Sequence, residues 1–411
     1  MKRRVYYRII MQLASPLSIG NGRDEETDHD VIRGKDQKPY IPASSIAGVF
    51  RHTLDDSIEL QNRLFGMING ETAQGSNVIF YDGQLLSGGS SNVRDSVKLE
   101  NKVGVDGAKF NMEVIETGTQ FVTFIEIVDQ SEETDGNIEK MIAGLKVGVL
   151  RFGTKTSRGF GAVNIISLKK AAFDLEQAQQ LDKWLDFSIY DESSWNGIGE
   201  YDLSGTDTGV IVVKLQLLQN GGISIREYST DVSDDGSQLP DFMHIALSDG
   251  TSVIPGTSWA GAIRTRYAEF ADNKEADKLF GYVDQGNKDD PGERSRIIFS
   301  ESVIRENLLK TMTRNSIDRF SAATKDTGLY TERTSYNGKT ELEIILNKDV
   351  TEKEKAILGA VILDIHNGLL SVGGLTSVGR GMFTVTGISV NGKDRYPVLL
   401  SGNAAKILEV E

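Results

Sequence analysis

A chain of 411 residues exceeds one ordinary hydrophobic core and sets an expectation of two domains of roughly 200 residues each. Its 39% apolar and 25% charged content suits a soluble globular protein, and no stretch approaches the roughly 18 apolar residues of a membrane span. A net charge of -14 argues against indiscriminate coating of nucleic acid, the lack of cysteine excludes disulfides, thiolate metal sites and cysteine nucleophiles, and the four scattered histidines disfavour a zinc enzyme.

The start, Met1-Lys2-Arg3-Arg4, has the basic character of a signal peptide, but Arg8 and Gln12 interrupt the apolar stretch, so residues 5–14 read as a strand. A long polar loop carrying Asp28 follows. A helix is expected from Ser44-Ser45, which are N-cap residue types, then strands at 78–81 and 121–128. A second helix at 138–150 precedes the glycine-rich loop from Gly153 to Gly161 and a closing strand to 168. Residues 171–186 look helical and 191–208 are rich in Gly, Ser and Asp, so the modules are set at 1–204 and 205–411, with a linker near 171–208.

The second half repeats this order: a strand at 209–218, a helix from Thr257-Ser258, and strands at 297–299 and 342–346. Thr351 and Glu354 form a capping-box pattern ahead of Ile357, Leu358, Val361, Ile362 and Ile365 at helical spacing. A glycine-rich loop from Gly373 to Gly381 then leads to a strand ending at 390. Strand, helix, strand, strand, helix, strand is the order of the ferredoxin-like or RRM-like sheet, so the fold class is α+β, two tandem modules with insertions. The insertions between strands, 82–120 and 300–341, are polar and hold glycines; they read either as surface loops or as projecting hairpins.

The repeat holds at five places in register. Asp28 lies fourteen residues before Pro42 in Ile41-Pro42-Ala43-Ser44-Ser45, and Asp241 fourteen before Pro255 in Ile254-Pro255-Gly256-Thr257-Ser258. Leu64-Phe65-Gly66 answers to Leu279-Phe280-Gly281, and 76–80 to 295–299. Gly153, Thr156, Ser157, Gly159 and Gly161 recur as Gly373, Thr376, Ser377, Gly379 and Gly381.

Glycines at both ends of each loop permit positive φ and close backbone approach, so successive N–H groups can form an anion-binding concavity, with Lys155, Arg158 and Arg380 adding charge and Phe160 able to stack on a base. A Walker loop is excluded because no Gly-Lys-Ser/Thr follows. The helix starts at Ser44 and Thr257 offer orphan N–H groups to a phosphate or to the aspartate loop. The acids around Asp28 lack the glycine and glutamate of an EF-hand. A carboxylate beside an RNA phosphodiester can take the 2′-hydroxyl proton or hold a divalent ion. His29 and His244 stand at different distances from their aspartates, so a shared acid–base role is not expected.

These residues resemble the RAMP superfamily of CRISPR-associated proteins, specifically the repeating backbone subunit of type III effector complexes. The carriers are Asp28 to Ile32, the stretch from Pro39 to Arg51, Leu64-Phe65-Gly66 and the Gly153 loop, repeated at 253–264, 279–281 and 373–381. The resemblance implies RNA contacts from Ser44, Ser45, Arg51, Gly153, Lys155, Thr156, Ser157, Arg158 and Gly159, and from Thr257, Ser258, Arg264, Gly373, Thr376, Ser377, Gly379 and Arg380. It also implies that Asp28 and Asp241 cut target RNA with Mg²⁺ or Mn²⁺. The implied partners are guide RNA, single-stranded target RNA and other effector subunits, namely a large polymerase-like subunit, a small subunit and further RAMP subunits, in the cytoplasm and away from membranes.

The second module departs from this pattern. It lacks the basic residues that follow Asp28, and Val378 replaces Arg158, so it is the weaker candidate for cutting. Competing readings are a non-catalytic guide-RNA scaffold, a guide-processing RAMP endoribonuclease and, outside the superfamily, a small-molecule sensor.

Overall fold

The computed structural model describes residues 3–20, 30–54, 57–69, 72–100, 103–128, 132–228, 240–283 and 292–410. Two compact units emerge, one of 1–156 with 160–208 and the other of 157–159 with 209–411.

In the first unit, β1 (Arg3–Leu13) is followed by α1 (Ala43–Arg51), α2 (Ile58–Phe65), β2 (Val78–Phe80), β3 (Ser91–Glu100), β4 (Val103–Ile115), β5 (Gln120–Ile127), α3 (Glu132–Lys146), β6 (Val163–Asp174) and α4 (Ala178–Leu185). The sheet order is β2-β5-β1-β6, all pairings antiparallel. In the second unit, β7 (Val210–Asn220), β8 (Phe242–His244), α5 (Gly256–Phe270), α6 (Asn273–Phe280), β9 (Ile297–Phe299), β10 (Leu308–Ile317), β11 (Thr324–Tyr336), β12 (Lys339–Asn347), α7 (Glu352–His366) and β13 (Met382–Val390) give the sheet order β9-β12-β7-β13. Both orders place the first strand between the third and fourth, the ferredoxin-like arrangement. The likeness reaches fine detail: each central strand has a register shift against its closing strand at the equivalent point, Ile10/Met11 and Gln216/Leu217.

Alternation along the central strands builds the cores, because successive side chains point to opposite faces. Val5, Tyr7, Ile9, Met11 and Leu13 are buried together with Ile46 and Phe50 of α1 and Ile138, Ile142 and Leu145 of α3. Ile211, Val213, Leu215 and Leu217 are buried with Trp259 and Ile263 of α5 and Val361, Ile362 and Ile365 of α7.

The opposite faces differ. In the first unit Tyr6, Val122, Phe124 and Ala171 form a second cluster with Trp195, against which Trp184 and Phe187 rest. The segment after β6 therefore covers the sheet face on which an RRM stacks bases. On the equivalent face of β7, Lys214, Gln216 and Leu218 are exposed.

Two expectations are corrected. Residues 171–186 are not one helix: β6 runs on to Asp174, paired through Arg3↔Asp174, and α4 spans only Ala178–Leu185. The first helices start one or two residues earlier than expected, with Pro42 and Pro255 as N-caps and no side-chain cap, because proline's fixed φ suits a helix entrance. Of the two readings of the polar insertions the structure shows the hairpin: β3–β4 and β10–β11 are long antiparallel pairs. The capping box at Thr351 and Glu354 is present in full.

Candidate nucleic-acid interface

The two glycine-rich loops share one backbone conformation. Gly153, Gly159 and Gly161 have φ of 78°, 102° and 71°, and Gly373, Gly379 and Gly381 have 91°, 80° and 74°. Lys155 and Leu375, at the same place in the repeat, are both left-handed, at 53° and 56°. Each loop is tied back to its own module: Thr154 N–H donates to Ser18 O (3.0 Å) and Gly161 N–H to Pro16 O (2.8 Å), while Gly374 N–H donates to Ser224 O (2.7 Å) and Gly381 N–H to Gly222 O (2.9 Å). A Cβ at Gly161 or Gly381 would fall on the carbonyl of Phe152 or Val372. Much of the glycine pattern is therefore structural, and these particular N–H groups are engaged within the fold.

The side chains on the loops diverge. In the first module Arg158 is exposed, Ser157 and Thr156 are half-buried, and Lys155 lies 4.4 Å from the Phe110 ring centroid with Nζ 3.2 Å from Met112 Sδ. Phe160 is buried, with the Arg94 guanidinium 5.9 Å from its ring centroid, so it is not a free stacking surface. In the second module Val378 replaces Arg158, Ser377 is exposed and Thr376 half-buried.

Arg380, expected as an RNA contact, is buried instead. It donates to Glu332 Oε1 at 2.6 Å and Thr334 Oγ1 at 3.1 Å. Glu332 is fully buried, accepts from Ser224 Oγ at 2.9 Å, and has Arg226 at 3.8 Å. Burial pushes the Glu332 pKa up, but the hydrogen bonds from Arg380 and Ser224 and the two guanidinium charges outweigh it and hold the carboxyl below its usual range. Arg380 thus locks the loop to the hairpin, and its charge is matched inside the protein. No residue within the repeat motifs signals this, because Glu332 lies on the polar insertion.

Asp241 is exposed, immediately before β8, and its Oδ2 accepts the Thr331 N–H of β11 at 2.6 Å. Strand β8 pairs in parallel with β11, Phe242 opposite Glu332, which fixes the carboxylate at the side of the hairpin. Asp28 and His29 lie outside the described residues. The segment following them is held in a comparable way: Val31 N–H donates to Glu113 Oε2 of β4 at 2.9 Å, and Arg33 pairs with Glu113 at 2.5 Å. His244 is buried, its Nδ1 accepting the Ile225 N–H at 3.2 Å, and burial pushes its pKa down to about 4, so it is a neutral structural group.

The helix entrances carry less than expected. Ala43 N–H of α1 already donates to Asp82 Oδ1 at 2.7 Å, so a carboxylate of the chain sits where a phosphate was anticipated. Ser44 is exposed, and Ser45, Thr257 and Ser258 are half-buried. Arg51 is exposed and donates to Gln61 Oε1 at 3.2 Å, whereas Arg264 pairs with Asp277 and donates to Gly281 O at 3.2 Å.

Among the described residues no cluster of three or more carboxylate and imidazole groups is arranged to hold a metal ion. Asp241 supplies a single carboxylate, so a divalent ion there would need phosphate oxygens and water as its remaining ligands, a common arrangement for Mg²⁺. No helix of the described residues is long and apolar enough to cross a membrane.

Two ferredoxin-like modules, each with a glycine-rich loop braced against a long hairpin, define a tandem α+β protein of duplicated design. The family model of the RAMP superfamily matches residues 11–164 and again 233–384, and the chain belongs to this superfamily of CRISPR-associated proteins. No curated protein sequence matches the chain.

Proposed function

We propose that the chain is a double-module backbone subunit of a type III CRISPR effector complex that holds guide RNA and cleaves complementary target RNA at two places, one aspartate per module. The observation that carries this reading is Asp241: an exposed carboxylate, oriented by a backbone hydrogen bond against the hairpin, at the repeat position of Asp28.

A carboxylate so held acts on RNA by accepting the 2′-hydroxyl proton as that oxygen attacks phosphorus. The 5′-oxygen of the next nucleotide leaves and takes a proton from water, giving a 2′,3′-cyclic phosphate and a 5′-hydroxyl, and the aspartate returns its proton to solvent. Asp241 is the residue that would hold a divalent ion, which would supply stabilisation of the negative charge developing in the transition state. Side chains do not select the target; base pairing with the guide does. The remaining partners are the other effector subunits.

The second reading is a guide-RNA scaffold without cutting activity, favoured in the second module by Val378 and by the internal pairing of Arg380. The test of RNA guidance is whether the protein retains a discrete short RNA through a high-salt wash. A bare protein contradicts it. Paired targets separate the readings further: under the proposed chemistry the all-RNA target is cut while one carrying 2′-deoxy sugars at the scissile positions binds and stays intact, whereas a scaffold leaves both intact.

A further inference from the structure

The two modules share one local design but differ in charge balance at one point. Arg51 and Arg264 both stand nine residues beyond their prolines, on the helix facing the Leu-Phe-Gly turn. Around them the structures correspond closely. Phe65 stacks on Phe80 at 5.7 Å and Phe280 on Phe299 at 5.9 Å, and Gly66 and Gly281 have φ of 76° and 77°. Ser76 Oγ donates to Leu64 O at 2.6 Å, and Ser295 Oγ to Leu279 O at 3.5 Å. Within this shared frame Asp277 neutralises Arg264, while its counterpart, three residues before Phe65, is Asn62.

An asparagine cannot neutralise a guanidinium. Among the described residues Arg51 makes no ion pair, and its guanidinium opens onto a depression of about 660 Å³ lined by Asn62, Phe65, Gly66, Ile68, Gln74 and Ser76. Its lining combines one cation and several amide and hydroxyl groups with an apolar wall. That composition suits a nucleotide, with phosphate on Arg51 and the apolar wall beside sugar or base. The glycine loops add to the contrast, since exposed Arg158 faces solvent where the second module has Val378.

We infer that the modules are unequal in their grip on RNA. The Arg51 depression of the first module binds a nucleotide phosphate of an RNA strand, and the second module has converted the equivalent arginine into a structural ion pair through Asp277. The inference rests on the RNA-binding reading above, but it makes a claim that reading does not: Asn62 and Asp277 decide which arginine is available.

The test is binding of labelled single-stranded RNA to the full chain at several KCl concentrations. Asn62→Asp, which supplies the first module with the second module's carboxylate, is expected to weaken binding about tenfold and to lower the salt slope by about 1, as loss of one phosphate contact does. Arg51→Gln should match it, and the double variant should be no weaker than either single. Arg264→Gln should leave affinity and slope unchanged, and Asp277→Asn should tighten binding. Asn62→Asp adds an ion pair and so preserves folding, checked by its melting temperature. Unchanged affinity in a folded Asn62→Asp protein, or equal losses from Arg51→Gln and Arg264→Gln, overturns the inference while the RNA-binding reading stands. A wild-type chain that binds no RNA overturns both. An AMP titration locates the source of the phosphate: AMP competing with RNA in wild type but not in Asn62→Asp supports the site, and AMP binding without competition contradicts its assignment to RNA.

Discussion

Arg380 and Glu332, 48 residues apart in the chain, form a buried ion pair at 2.6 Å that joins the second glycine loop to its hairpin. Glu332→Ala leaves a buried guanidinium without its carboxylate and should cost about 3–5 kcal/mol in unfolding free energy. Replacing both residues with apolar ones of similar volume should recover most of that loss. Chemical denaturation of the three proteins checks the expectation.

The same pair sets an acid limit. Glu332 has a depressed pKa in the folded protein, so its stabilising contribution is present above the unfolded carboxylate value, near 4.3, and is lost as pH falls through the lower folded value. In Glu332→Gln this loss below about pH 4 should be absent.

His244 works in a higher window. Its folded pKa of about 4 lies below the ordinary 6.5, so the unfolded chain takes up the proton first. The stability of the second module should be insensitive to this group above pH 6.5 and fall by about 3 kcal/mol between 6.5 and 4. His244→Gln should flatten the profile over that interval.

Gly381 carries φ of 74°, and an added Cβ would meet the Val372 carbonyl. Gly381→Ala should therefore cost about 2 kcal/mol or more, measured as a lowered melting temperature. Gly379→Ala, with positive φ but open space around it, should cost less.

The hairpin tip is an opposite case. Phe320 is 97% exposed, so Phe320→Ala should leave the melting temperature unchanged. Weakened target engagement at unchanged stability would assign this side chain to RNA rather than to the fold.

The sheets were legible in the sequence because their strands alternate apolar side chains or are apolar throughout, as in β7 and β9, and because duplication displays each pattern twice. The hairpins were legible only as one of two readings, since β10 is polar and exposed on most positions and, among the described residues, pairs only with its neighbour β11. The extent of β6 was obscured because lysine and alanine in 169–172 suit a helix equally well, and only pairing with β1 decides between them. Arg380 looked available because its partner is distant in sequence. The difference between Arg51 and Arg264 was hidden for a related reason: the deciding residues, Asn62 and Asp277, are ordinary helix-surface positions until the fold places them opposite an arginine.

If one carboxylate per module cuts target RNA, the product pattern of the assembled, guide-loaded complex on a labelled complementary RNA reports it. With Asp28→Ala one cleavage product should disappear, with Asp241→Ala the other, and with both the target should remain bound and intact. Two undiminished products in the double variant would rule out these aspartates as the cutting groups.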